Sequence, residues 1–193
     1  MKNTLLYYQG GGYDGCIWEW NACFWNEDGV WSDLFSSGCG GLTTEKEAFD
    51  LIAEYDGLIE PCRKGELVDL TNQDRILQFQ KDNNAYLVLN IAKTLTEEFD
   101  YEIKLTCNHC EQQLCPDELH TIADDNYNIV CEECLCSNTC ECCNEFIMDD
   151  NELIWLDEKD DLSGLYATGY SKVCKECFNY NVEQQKNDKC YEQ

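Results

Sequence analysis

Apolar residues recur at every second position early in the chain. After "TLLYY" (4–8) and a glycine turn, "CIWEWNACFW" sets Ile17, Glu19, Asn21 and Cys23 on one side and Trp18, Trp20, Ala22 and Phe24 on the other, the alternation of a β-strand. "NEDG" at 26–29 is a turn signal, and "VWSDLF" returns the chain as a third strand. Residues 4–36 thus predict a three-stranded antiparallel meander with a tryptophan-rich face.

The apolar period then lengthens to that of a helix. In "TTEKEAFDLIAEYDG", Thr44 and Glu47 have capping-box spacing, and Ala48, Leu51, Ile52 and Tyr55 form one stripe before a Gly57 stop. A second helix is expected from Thr71, carrying Ile76, Leu77 and Phe79. In "AYLVLNIAKTL", Leu87, Ile91 and Leu95 have helical spacing, although the β-branched residues leave a strand open. Residues 1–102 read as an α+β domain in which helices cover the meander.

Composition changes near Cys107. Residues 1–106 hold four of the five tryptophans and only Cys16, Cys23, Cys39 and Cys62 of the sixteen cysteines. Four Cys-x2-Cys pairs follow: Cys107/Cys110, Cys131/Cys134, Cys140/Cys143 and Cys174/Cys177, separated by 20, 5 and 30 residues. Two residues between cysteines let a tight turn aim both sulfurs at one ion, and two such turns complete the tetrahedral all-sulfur set that zinc favours in structural sites. The segments inside the pairs repeat as well. Aligned on the cysteines, Leu114 meets Ile147 and Cys115 meets Met148; with one residue inserted, "DELHTI" meets "NELIWL". Each copy then runs through a polar turn to "YNIV" or "SKV" before its second pair. These repeats divide the remainder into modules at 103–138 and 139–193, each a small β-hairpin unit, the second ending in a helix.

Across roughly residues 105–180 the pattern C-x2-C, hydrophobic, D/N-E-L, hairpin, C-x2-C resembles tandem zinc-ribbon, treble-clef or LIM-like zinc fingers. The resemblance implies two zinc ions, one held by Cys107, Cys110, Cys131 and Cys134, the other by Cys140, Cys143, Cys174 and Cys177. The five-residue joint after Cys134 leaves no room for a helix, as in head-to-tail LIM packing, whereas "FNYNVEQQK" after Cys177 can form one, as in a treble clef. Cys115 is expected in an apolar core with its counterpart Met148. His120 aligns with Ile154, so a structural role is expected of it. His109 is expected to point from its turn to solvent or to accept a local bond. Cys136, Cys142 and Cys190 are left unassigned.

The cysteines also speak to compartment and chemistry. "MKNTLLYYQGGG" lacks the apolar h-region of a signal peptide, so the chain is expected in a reducing cytoplasm, where cysteines serve metals better than disulfides. A thioredoxin-like redox site needs one Cys-x2-Cys beside a βαβ unit. A catalytic zinc site keeps an open position. Neither fits four complete pairs. "DEKDDLSG" at 157–164 lacks the order and closing Glu of a calcium loop and reads as a hairpin loop.

The formal charge of −26 comes from 39 acidic and 13 basic residues. Between Asp117 and Asp161 there are fifteen acidic residues and one basic residue, Lys159. Such a field repels nucleic-acid phosphates and anionic membranes and attracts basic proteins. Gly10, Gly12 and Gly15 satisfy G-x-G-x-x-G but lead into a strand where a dinucleotide fold needs a helix. A kinase-type glycine loop lies between strands, yet no lysine occurs between Lys2 and Lys46, and H-R-D and D-F-G are absent. The loop reads as a hairpin tip, with Gly10, Gly12, Tyr13, Gly15 and Trp18 as a contact loop. The chain is therefore expected to be a non-enzymatic, acidic zinc-binding protein that interacts with or regulates a basic protein partner. The alternatives are an inhibitor filling the nucleic-acid channel of a basic enzyme, of the phage anti-restriction or anti-CRISPR type, and a nucleotide-binding enzyme using the glycine loop.

Overall fold

The computed structural model describes residues 2–11, 17–36, 46, 64–122, 128–158 and 163–191. The class is α+β: a four-stranded antiparallel sheet with helices, followed by small hairpins beside the cysteine pairs. Strands β1 (Thr4–Gly11), β2 (Ile17–Trp25) and β3 (Trp31–Ser36) form the expected meander. A fourth strand, β4 (Lys64–Asp69), pairs antiparallel with β1, giving the order β3-β2-β1-β4. "KGELVD" has only two apolar residues in six, which is why alternation did not reveal it.

Pairing of Leu5 with Phe24 and Val68, and of Tyr7 with Ala22, sets one apolar face of this sheet. Helices α1 (Gln73–Asp82) and α2 (Ala85–Phe99) cover it with Ile76, Phe79, Leu87, Val88, Ile91 and Leu95. Edge-to-face rings, Tyr7 on Phe79 at 5.2 Å and Phe24 on Phe99 at 5.4 Å, fix the approach. Leu6, Cys23 and Trp25 on the opposite face are buried too. The helix expected at 44–57 lies outside the described residues apart from Lys46.

The helix starts differ slightly from expectation. Asp69 accepts from the backbone N–H and the hydroxyl of Thr71 (2.9 and 2.6 Å), so Thr71 is spent in a turn and Asn72 caps α1 instead, its side chain accepting from Asp74 and Arg75 N–H. "AYLVLNIAKTL" is helical and extends to Phe99, where Asp100 ends it in the left-handed conformation (φ 54°). Its β-branched residues did not make a strand, because a wide apolar stripe offers the helix more burial.

The apolar core does not stop at residue 102. Ile103, Leu105, Cys107, Leu119, Ile129, Val130, Cys131 and Cys134 belong to the same buried cluster as the sheet and helices. Cys140, Leu165, Val173 and Cys174 form a second, smaller one. A buried glutamine joins sheet domain to first module: Gln80 donates to the Thr106 carbonyl (2.6 Å) and accepts from the Thr106 N–H (2.8 Å), as a neighbouring strand would.

Because Gln80→Ala leaves both Thr106 groups unpaired, it should cost about 1–3 kcal/mol in urea unfolding. Gln78→Ala, exposed on the same helix, should cost less than about 0.5 kcal/mol. Equal costs at the two positions would contradict this role for Gln80.

Candidate metal centres

Two turns and two hairpins build each module. In the first, β5 (Leu105–Thr106) and β6 (Gln113–Leu114) flank the turn carrying Cys107 and Cys110. A 3-10 turn, Pro116–Glu118, leads into β7 (Leu119–Thr121), which pairs with β8 (Ile129–Cys131). Helix α3 (Glu132–Asn138) begins at once, so Cys131 is its N-cap residue and Cys134 lies in its first turn. In the second, the single bridge Thr139–Phe146 flanks the turn of Cys140 and Cys143. A 3-10 turn, Asp150–Glu152, precedes β9 (Leu153–Trp155), which pairs with β10 (Lys172–Cys174), and α4 (Lys175–Tyr191) follows. The joint after Cys134 therefore does contain a helix, contrary to expectation: the second Cys-x2-Cys pair is itself the helix start, so α3 needs only the joint's remaining residues.

The repeat read from the sequence is a repeat of geometry. Leu119, His120 and Thr121 face Cys131, Val130 and Ile129; Leu153, Ile154 and Trp155 face Cys174, Val173 and Lys172 in the same register. Cys107 N–H donates to Gln112 O and Cys140 N–H to Glu145 O, both at 2.9 Å. Glu111 and Asn144, each following a closing cysteine, both take positive φ (61° and 62°). The residue after each first cysteine pins the returning strand. Asn108 exchanges bonds with Ile129, its N–H donating to the carbonyl and its Oδ1 accepting from the N–H, each at 2.8 Å. Glu141 N–H donates to Lys172 O (3.2 Å), while its carboxylate accepts from the N–H groups of Ser171 and Lys172. The Ser171 N–H, burial notwithstanding, holds the Glu141 carboxyl below its ordinary range.

These frames bring the eight expected cysteines into two groups, Cys107, Cys110, Cys131, Cys134 and Cys140, Cys143, Cys174, Cys177, with all four sulfurs of a group within 4.8 Å of one another. Bonds of about 2.3 Å in a tetrahedron put sulfurs about 3.8 Å apart, and Cys110–Cys131 (3.9 Å) and Cys143–Cys174 (4.0 Å) match. Backbone N–H groups aim at the same sulfurs in both: Cys131 at Cys107 (3.3 Å), and Cys174 at Cys140 (3.2 Å).

Electrostatics within each group favour a cation. Burial pushes the Cys107 thiol up, but N–H groups of Cys110, Cys131 and His109 outweigh it and bring it down to about 7. Cys140 likewise comes down to about 7, burial being overcome by the N–H groups of Cys143, Cys174 and Cys142. Cys110, Cys134, Cys143 and Cys177 go the other way. Burial, then the neighbouring Cys140, pushes Cys143 up to about 12, and burial followed by neighbouring thiols raises Cys134 and Cys177. Cys107 and Cys140 therefore ionise most readily, and a metal dication would offset the cost of ionising the raised thiols beside them. The donor set suits zinc.

Several residues stand elsewhere than expected. Cys115 is exposed, as is its counterpart Met148; Cys115 opens the 3-10 turn, which holds it at the surface. His109 does not face solvent alone. Its Nε2 lies 2.9 Å from both Asp150 Oδ1 and Asn138 Nδ2, and its ring meets Phe146 edge-on at 5.9 Å, so it spans the two modules. His120 Nε2 bonds Glu132 Oε2 at 2.7 Å and is not among the clustered ligands. Cys136 is exposed beside Glu132 (3.7 Å), and Cys142 packs half-buried on the second cluster. Of the contact loop, Gly12, Tyr13 and Gly15 lie outside the described residues; Gly10 sits in β1 and Trp18 in β2.

The sequence reading missed the residues that join the modules. Lys172 is buried in β10, and its ammonium donates to the carbonyls of Cys136 and Ser137 (the latter at 2.9 Å), the unsatisfied end of α3, while lying 5.8 Å from the Trp155 ring centre. Asn138, also buried, donates to Asp150 Oδ1. Aligning the interiors of the Cys-x2-Cys pairs exposes Asn108 and Glu141, but nothing local marks Asn138 or Lys172.

No protein-family description, curated protein or solved structure matches the chain.

Native mass spectrometry of the zinc-loaded chain should show two ions, and one after Cys174→Ser with Cys177→Ser; two ions in that variant would refute the pairing. Chelation should open amide exchange in β7–β10 first. The sheet should survive with a lower unfolding midpoint, since it shares its core with the first module.

Proposed function

We propose that the chain is a non-enzymatic, acidic zinc protein whose two modules present a docking surface to a basic protein partner. The observation that carries this reading is that both sulfur groups are closed all-cysteine sets on an acidic chain of net charge −26. Four thiolates fill a tetrahedral shell and leave no position for water or substrate, so the ions serve folding rather than chemistry. The order of knuckle, hairpin and helix resembles two treble-clef fingers in tandem. Loaded, each site adds a formal −2, giving a charge of about −30.

Charge of this density favours a partner that normally holds nucleic acid, and the sharper form of the reading is an inhibitor occupying such a channel. The motive is the run of fifteen acidic residues to one basic between Asp117 and Asp161. The strands before and after the glycine-rich segment, β1 and β2, pair antiparallel, which supports the hairpin-tip reading over a dinucleotide site, where a helix would follow. Among the described residues no helix is long and apolar enough to cross a membrane.

A partner recovered by the zinc-loaded chain should bind it with an affinity that falls steeply between low and high salt. Neutralising exposed Asp117, Glu133 and Glu158 together (Asp→Asn, Glu→Gln) should weaken binding about tenfold, about 1.4 kcal/mol. Binding insensitive to both would sink the docking reading. Failure of DNA and RNA to compete would remove the channel-inhibitor form alone.

A further inference from the structure

The two hairpins match in register but not in surroundings. In the first module Leu119 of β7 is fully buried, packed with helix α2 in the core shared with the sheet domain. Its counterpart in β9, Leu153, is half-buried. Trp155, in the place of Thr121, is 69% exposed, more than any other large apolar side chain among the described residues.

Hydrogen bonding shows which way β9 faces. Leu156 N–H donates to Ser171 O (2.8 Å), so the bonded pairs across the hairpin are Leu156 with Ser171 and then Ile154 with Val173. The alternate residues, Leu153 and Trp155, turn their backbone groups away from β10. Leu153 N–H donates to the Asp150 carbonyl, whereas Trp155 N–H and C=O meet no partner among the described residues. The opposite edge of the hairpin is closed, because Glu141 bonds both backbone groups of Lys172. The β9 edge is the open one, a short template for another strand with an exposed indole beside it.

The chemistry around this edge selects its occupant. Asp149, Asp150, Glu152, Asp157 and Glu158 flank it, all exposed, and residues 149–158 contain no lysine or arginine. One cation already stands by the ring: Lys172, 5.8 Å from its centre. Trp155 is thus an aromatic surface suited to cations.

Resting on the docking reading above, we propose that the β9 edge is the contact strip and that its occupant is an extended basic segment of the partner protein, added as a third strand beside β9. The backbone of that segment bonds Trp155 N–H and C=O, its alternate side chains cross the indole, and its lysines or arginines meet the acidic flanks. The first module offers no such strip, since Leu119 is buried. One module is fastened to the sheet domain; the other faces outward.

The test uses the full-length, zinc-loaded, isotope-labelled chain and a short synthetic peptide alternating arginine and valine, followed by amide NMR and calorimetry at low salt. The Trp155 amide should shift and gain protection from exchange. A fully N-methylated copy of the peptide keeps every charge but cannot pair as a strand, and should bind about tenfold more weakly. Trp155→Ala should weaken the parent peptide about tenfold as well, and Trp155→Phe should recover much of the loss. Tyr86→Ala, at another exposed aromatic residue, should leave binding unchanged. If Trp155→Ala no longer carries its zinc by native mass spectrometry, the N-methylated peptide, which leaves the protein untouched, decides alone. Binding indifferent to N-methylation, or to Trp155→Ala in the zinc-loaded state, would overturn the strip and leave the docking reading standing. No binding of the parent peptide would overturn the strip too; the docking reading falls only if a recovered partner binds without regard to salt.

Discussion

Everything in the second half of the chain depends on sulfurs meeting at two points. The strands there are two or three residues long, and among the described residues the second module's buried apolar cluster is Cys140, Leu165, Val173 and Cys174. Hairpins of that size do not hold themselves together in water. What closes them is convergence of a knuckle with a helix start, and in modules of this kind metal binding is folding free energy, about 10–16 kcal/mol. That single constraint explains why the two modules agree in hairpin register, in N–H to sulfur bonds and in the left-handed residue after each knuckle, although their surfaces differ.

The modules are not independent beads. Lys172 of the second closes the open carbonyl end of α3 in the first, and Asn138, His109 and Asp150 form a second polar contact across the joint. On the other side, Gln80 extends the backbone pairing of β5 from the sheet domain, and one apolar core runs through to Cys134. The second module has its own core and anchors itself to the first with one of its own cations, Lys172, in a chain with only thirteen lysines and arginines. Helix α4 closes against its loop: Gln185 bonds the Ser163 carbonyl, and Gly164 (φ 73°) has a Gln185 side chain where a Cβ would stand.

The acidity then falls into two classes. Asp150, Glu132, Glu141 and Glu152 are engaged with His109, His120, Ser171 and Lys175. They serve local geometry. Asp117, Glu133 and Glu158 are exposed and are free to shape the field that a basic partner would meet. Beside the two four-sulfur groups, the distinguishing property of the chain is its charge.

The sequence by itself determined the metal groups, the repeat and the class. Cys-x2-Cys spacing acts through one tight turn, and strand alternation and helical stripes are equally short-ranged, so they are readable without coordinates. Its failures share one cause. Strand β4 shows almost no alternation and exists because β1 offers it an edge. Helix α3 was hidden because its start coincides with a metal pair. Cys115 was placed inside by analogy with Met148, yet both lie at the surface. His109, Asn138 and Lys172 look like ordinary turn and strand residues until the modules meet. Only the tertiary structure decided those, because hydrogen bonds between residues 29 to 41 positions apart depend on how modules pack, and no local period records it.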